Sequence, residues 1–246
     1  MAAENYVNLY FSEEKIRLTV LTNICRMMVT RGYMDADKYK RDPEKPVNKD
    51  AKQSIIEQLS ANDKIDNSLF LPFIETRIDN NTYIIPLDTP YRDQREEKGE
   101  ANVEFDGSVV IVKIIPQILK DISNSPLLNE FFKQYNKNHK IIVFDGMADK
   151  VYNVLSKKKN VEVFDRNYLM IDLMSHRGAP VSCSLVTNED IKYITNLKIA
   201  KILENDPMCR YYNGKKGLII RVVRTSLNNS EEIVYRKVIE PKSVFK

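Results

Sequence analysis

At 246 residues, 43% hydrophobic and 29% charged, the chain has the composition of a folded protein long enough for one large domain or two small ones. No run approaches the roughly 20 apolar residues that a bilayer-spanning helix needs, and Met1 to Tyr10 lacks the basic flank and apolar stretch of a signal peptide. The net charge of +4 is carried by the part from Phe164 onward, the preceding residues being close to neutral, a placement that suits either nucleic acid or an acidic protein partner.

In chain order, Glu13 to Thr30 places Ile16, Val20, Ile24, Met27 and Met28 on a 3.6-residue stripe and predicts a helix. Ser12 is its expected N-cap, Glu13 and Glu14 favour the first-turn dipole, and Arg31-Gly32 closes it. A charged segment with Pro43 and Pro46 follows, then a short helix over Ala51 to Leu59. Phe70 to Ile78 and Thr82 to Leu87, flanking Asp79-Asn80-Asn81, read as a β-hairpin. Asp88 to Asn102 is a polar insertion with alternating charges, expected to be a solvated loop. Val109 to Ile115 and Lys140 to Phe144 are buried-strand patterns, separated by a helix over Ile118 to Tyr135 that is interrupted near Pro126. Asp149 to Ser156 predicts a helix and Val161 to Phe164 a short strand. Strands alternating with helices predict an α/β domain with a mixed sheet, bounded near residue 163 by Lys157-Lys158-Lys159.

Residues 164–246 predict a compact α+β module. Its expected elements are a strand at Tyr168 to Leu173, a helix at Ile191 to Leu203 capped by Thr187 with Asp190, and strands at Leu218 to Val223 and Ile233 to Val238. Cys25, Cys183 and Cys209 are scattered, and His139 and His176 stand alone. A zinc site needs about four clustered ligands, so neither a metal nor another cofactor is expected, and the thiols are expected to be reduced and buried.

The most informative segment runs from Asp206 to Arg224. Asp206-Pro207 is expected to end the helix in a turn, with Arg210 and Tyr211 directly after it. Lys215-Lys216-Gly217 forms a tight basic turn into a strand bearing Arg221 and Arg224, and Tyr235-Arg236 answers on the partner strand. Taken as charges alone, these residues suit a small solvated sheet. Their order and spacing, however, resemble the C-terminal signature of the fifth subunit of eukaryotic RNA polymerases, a family that includes its archaeal counterpart. That family carries Asp-Pro, then Arg-Tyr, a basic pair with glycine, a β-branched strand ending in arginine, and Tyr-Arg. Upstream, His176, Pro180 and Thr187 follow the family's order, Gly146-Met147 resembles the turn ending its N-terminal domain, and Arg31-Gly32-Tyr33 resembles the close of its first helix. Departures include Ser182 near the family's second histidine, Asn213 at its glycine, Thr225 at its proline and Leu227 at an acid, together with the insertion. The resemblance is to a divergent member, for which a large DNA virus is a reasonable source.

The resemblance implies an N-terminal jaw domain (1–163) with a restriction-endonuclease-like fold, reaching toward downstream duplex DNA. It implies a C-terminal assembly domain (164–246) that packs on the largest polymerase subunit. The chain would be an accessory subunit, with phosphodiester chemistry belonging to the two large subunits. Asp206, Pro207, Arg210, Tyr211, Lys215, Lys216, Gly217, Arg224, Tyr235 and Arg236 would form the subunit interface, and Met147 and Lys150 would face DNA. A cellular member would be nuclear; a viral one would occupy the virion and the host cytoplasm.

A nuclease is the enzymatic rival, because its fold is similar. It would need an acid two residues before a strand lysine, but Ile111 stands there before Lys113, and Glu96-Glu97-Lys98 lies in the insertion. A free-standing nucleic-acid adaptor is opposed by the near-neutral N-terminal part. No phosphate-binding glycine loop or nucleophile elbow is present.

Overall fold

The computed structural model describes residues 11–42, 65–79, 81–91, 105–118, 126–146, 148–176, 178–186, 191, 194, 199–225 and 231–240. Helix α1 spans Glu13–Thr30, capped by the Ser12 side chain, which accepts from the Lys15 amide at 3.2 Å. Arg31 is its C-cap and Gly32 follows at φ 79°. The apolar stripe predicts one buried face, yet every residue from Leu18 to Val29 is buried, including Thr19, Thr22, Asn23 and Arg26. The cause is a second packing partner. The Asn23 amide donates to the Leu169 carbonyl at 2.8 Å, and Arg26 pairs with Asp172 at 2.7 Å.

A 3-10 turn at Asn67–Phe70 leads into α2 (Leu71–Glu75) and then β1 (Arg77–Asp79) and β2 (Thr82–Pro86). The expected hairpin exists, but only its last three residues before the turn are extended. Asp66 caps the preceding turn through the Ser68 amide, and Pro72 at the helix start favours helical φ, so Asn67 to Glu75 coil instead. β3 (Asp106–Ile115), α3 (Pro126–Gln134), β4 (Asn138–Phe144), α4 (Asp149–Leu155) and β5 (Val161–Asp165) follow. Helix α3 starts at Pro126; Ile118 is exposed and outside any helix. The predicted helix at Ala51 to Leu59 lies outside the described residues, as does most of the insertion.

These strands form one mixed sheet in the order β1-β2-β3-β4-β5. β1, β2 and β3 pair antiparallel, whereas β3, β4 and β5 pair parallel through crossovers containing α3 and α4. One face packs on α1, with Val110, Val112, Ile141, Val143 and Phe164 at the contact. The other face carries Ile111, Ile142, Phe144, Val161 and Val163 beneath α3 and α4.

The C-terminal part departs further from expectation. Tyr168 to Leu173 is not a strand: Arg166–Leu169 is a helical turn, α5, and Leu173–Ser175 a 3-10 turn. Asp165 and Asp172 each bond an amide two residues ahead, and these local bonds outcompete extension. Nor does a helix reach Leu203. Ile191 and Ile194 are helical, but Ala200–Leu203 forms strand β7, parallel to the last strand. Asp206-Pro207 therefore ends no helix; it opens one, α6 (Pro207–Tyr211), with the Asp206 carboxylate on the Met208 amide and proline at the helix start.

The second sheet is ordered β6-β8-β9-β7, with β6 at Ser182–Leu185, β8 at Ile219–Thr225 and β9 at Glu231–Ile239. Both sheets are mixed, and the fold is α+β. A single core joins them, since Cys183, Cys209, Tyr211, Tyr212, Ile220 and Val238 belong to the same buried cluster as α1 and the first sheet. The three thiols are free and buried. Burial pushes the Cys183 thiol up to about 11 and the Cys209 thiol up to about 12, which keeps both unreactive.

Candidate functional site

The segment after β7 is where the sequence concentrates its predicted interface. Asp206 and Pro207 shape the start of α6, and the Pro207 carbonyl accepts from the Tyr168 hydroxyl. Arg210 does not point to solvent. It donates to the Val163 carbonyl of β5 at 2.8 Å, with its guanidinium 5.1 to 5.4 Å from the ring centres of Tyr152, Phe164 and Tyr168. Tyr211 is buried, its hydroxyl 3.4 Å from Thr30 Oγ1 on α1. Arg210 and Tyr211 thus fasten α6 to β5 and α1, with Asp206 capping α6 and Pro207 tied to α5.

The remaining predicted residues sit further out. Lys215, Lys216 and Gly217 form the expected turn, with the Leu218 amide on the Lys215 carbonyl at 3.0 Å. Lys215 pairs with Glu204 at 3.5 Å and Lys216 with Glu240 at 2.9 Å. Arg224 pairs with Glu232 across β8 and β9 at 2.9 Å. Tyr235 and Arg236, half-buried on β9, lie opposite Arg221 and Ile220. Lys150 is exposed on α4, while Met147 lies outside the described residues. The expected groups are thus divided between a joint inside the chain and an outer basic sheet.

The joint contains residues to which the sequence analysis gave no role in holding the two sheets. Arg31, just past α1, donates both terminal nitrogens to the Glu162 carboxylate of β5 at 2.8 Å. Its Nε donates to the Tyr211 carbonyl at 2.6 Å, and Nη2 also reaches the Arg210 carbonyl at 3.2 Å. His139 Nε2 lies 2.8 Å from Glu162, and the His139 ring stacks on Tyr91 at 3.7 Å. The Asn213 amide donates to the Tyr91 hydroxyl at 2.6 Å. Both side chains of the Arg31–Glu162 pair are 3% exposed. Burial opposes ionisation of Glu162, but the Arg31 guanidinium and the His139 bond outweigh it and hold the carboxyl well below the usual carboxylate range. The same pairing holds Arg31 charged against the effect of its own burial. One signal was available beforehand: Glu162 is an acid among the apolar Val161, Val163 and Phe164 of an expected short strand.

The chain is 31% identical over 173 residues to DNA-directed RNA polymerase subunit 5 of Acanthamoeba polyphaga mimivirus, a match covering 66% of this chain and 83% of that relative. The chain belongs to the RNA polymerase subunit 5 family. It is also 29% identical over 85 residues to the Dictyostelium discoideum DNA-directed RNA polymerases I, II, and III subunit rpabc1, covering 32% of this chain and 43% of that relative. The family model for the RNA polymerase Rpb5 C-terminal domain matches residues 188–238. That interval contains β7, α6 and β8 and nearly all of β9, and with them every predicted interface residue from Asp206 to Arg236. Arg31, His139 and Glu162 lie outside it, so in this chain the domain match and the polar joint are adjoining features.

Proposed function

We propose that the chain is a non-catalytic structural subunit of a multisubunit DNA-directed RNA polymerase. The second sheet would dock on the largest subunit as the assembly domain (164–246), and the first sheet would approach downstream duplex DNA as the jaw (1–163). The observation that carries this reading is the match to subunit 5, with the C-terminal domain match running through α6, β8 and nearly all of β9. The geometry supports a division of labour among the ten proposed interface residues. Lys216 and Arg224 are exposed and Tyr235 and Arg236 half-buried, so they are available to a partner. Exposed ion pairs such as Arg224–Glu232 are worth about 0–1 kcal/mol and exchange readily for a partner's carboxylate. Asp206, Pro207, Arg210 and Tyr211 would act by holding that sheet in place, and Lys215 and Gly217 by shaping the turn.

On the other part of the chain, Lys150, exposed on α4, would supply a sequence-independent phosphate contact, and Met147 would be the second DNA-facing residue. Phosphodiester chemistry would belong to the large subunits. The site of action would be the nucleus for a cellular polymerase, or the virion and host cytoplasm for a viral one. The test is affinity isolation of the tagged chain from its native source at high salt, followed by mass spectrometry. Two very large polymerase subunits in equal amounts are expected. Recovery of the chain alone, or only with nucleic acid, would sink the reading in favour of a free-standing adaptor.

A further inference from the structure

Strand β6 is an edge of the second sheet. Among the described residues it pairs only with β8, in the antiparallel register Ser182↔Val223, Cys183↔Val222, Ser184↔Arg221 and Leu185↔Ile220. The Val186 amide bonds the Ile219 carbonyl at 2.9 Å, which fixes the phase of the ladder. Antiparallel pairs alternate between bonded and non-bonded partners, so Ser182 and Ser184 turn their backbone groups to β8, and Cys183 and Leu185 turn theirs outward. The outward amide of Cys183 is taken by the Tyr212 hydroxyl, as this phase requires. Among the described residues, the Cys183 carbonyl and both backbone groups of Leu185 remain on the open edge.

A cavity of about 180 Å³ adjoins that edge, lined by Thr30, Tyr33, Leu185 and Tyr212 among others. Ligand pockets usually run from about 300 to 1,000 Å³, so this one has room for a side chain rather than a small-molecule substrate. Val181, just before β6, is 55% exposed. Unpaired edge groups next to a side-chain pocket and an exposed apolar residue are what strand addition uses: main-chain bonds for affinity and a pocket for every second side chain.

We propose that the outer edge of β6 receives an extended segment of another polymerase subunit, which adds a strand at Cys183 and Leu185 and seats one apolar side chain in the cavity between α1 and Tyr212. This rests on the polymerase-subunit reading and specifies a contact within it. A main-chain occupant is favoured over a helix because the free groups are backbone donors and acceptors at strand spacing. The outer basic sheet at Arg224 and Arg236 would then add charge contacts beside the strand.

The test is hydrogen exchange of the amides of residues 181–186 in the free chain and in the purified polymerase, together with Leu185→Trp. Leu185 lies on the same face of β6 as the buried Cys183 and lines the cavity, while the ladder bonds to β8 are made by Ser182 and Ser184, so the indole would fill the pocket and leave the β6–β8 ladder intact. At least tenfold slower exchange at Leu185 in the assembled enzyme is expected, with at least tenfold weaker retention of the variant at high salt. A chain that assembles with Leu185 exchanging at its free rate would overturn the strand contact and leave the subunit assignment standing. Protection at Leu185 cross-linked to a second copy of this chain would also overturn it. Absence of the chain from the polymerase would remove both. If the variant does not fold, the exchange measurement alone decides.

Discussion

Glu162 carries its charge where water does not reach it, so its partners decide whether the protein tolerates it. Breaking a buried ion pair by neutralising one member leaves the other charge uncompensated, at about 3–5 kcal/mol. Glu162→Gln is therefore expected to destabilise the chain by roughly that amount in urea unfolding. Replacing both members together, Arg31→Met with Glu162→Leu, should cost much less than the sum of the single changes. The pH dependence has a definite sign. The folded carboxyl is held below its unfolded value of about 4.3, so its contribution is complete above that value and shrinks as pH falls below it. Wild-type stability should fall more steeply than that of Glu162→Gln between about pH 5 and pH 3. Parallel slopes would show that the pair does not couple to folding as described.

At the scale of elements, two glycines, one in a strand and one in a turn, constrain the chain for different reasons. Gly107, the second residue of β3, lies where the base of the insertion crosses it, with the Tyr91 amide on the Gly107 carbonyl at 2.8 Å. A Cβ at Gly107 would lie 2.5 Å from the Tyr91 carbonyl oxygen, so Gly107→Ala must push the insertion away. Overpacking of this kind costs about 1–3 kcal/mol. Because Tyr91 stacks on His139, the change should also perturb the His139 ring resonances in NMR spectra. Gly217 sits in open space but at φ 94°, so Gly217→Ala carries only a conformational cost of about 1 kcal/mol and should leave His139 unchanged. Equal chemical-shift changes in the two variants would refute this separation.

For the whole molecule, the decisive feature is that the two sheets share one core through α1. Tyr211 and Tyr212 of the second part are buried against it, and Arg31 binds carbonyls on α6. The full chain is expected to unfold in a single calorimetric transition. Residues 164–246 alone, stripped of Arg31 and Glu162 and with Tyr211 newly exposed, should lack a cooperative transition of their own. Two well-separated transitions in the intact chain would show that the halves are energetically independent. The boundary near residue 163 also falls inside β5, which runs to Asp165, so a cut there would fray the first sheet.

The sequence by itself determined what local chemistry encodes. A periodic apolar stripe with a serine cap specified α1, β-branched runs specified β3, β4 and β8, and Asp-Pro with Lys-Lys-Gly marked the segment that carries the family match. It misplaced Phe70 to Glu75, Tyr168 to Leu173 and Ala200 to Leu203. In the first two, aspartate caps override β-leaning side chains, and in the third, pairing with β9 overrides a helical pattern. Only the tertiary structure could place Arg210 against β5 and bring Arg31 and Glu162 together, because the pair is 131 residues apart in the chain. A buried charge is stable only with its partner, and no local rule names a partner across that distance.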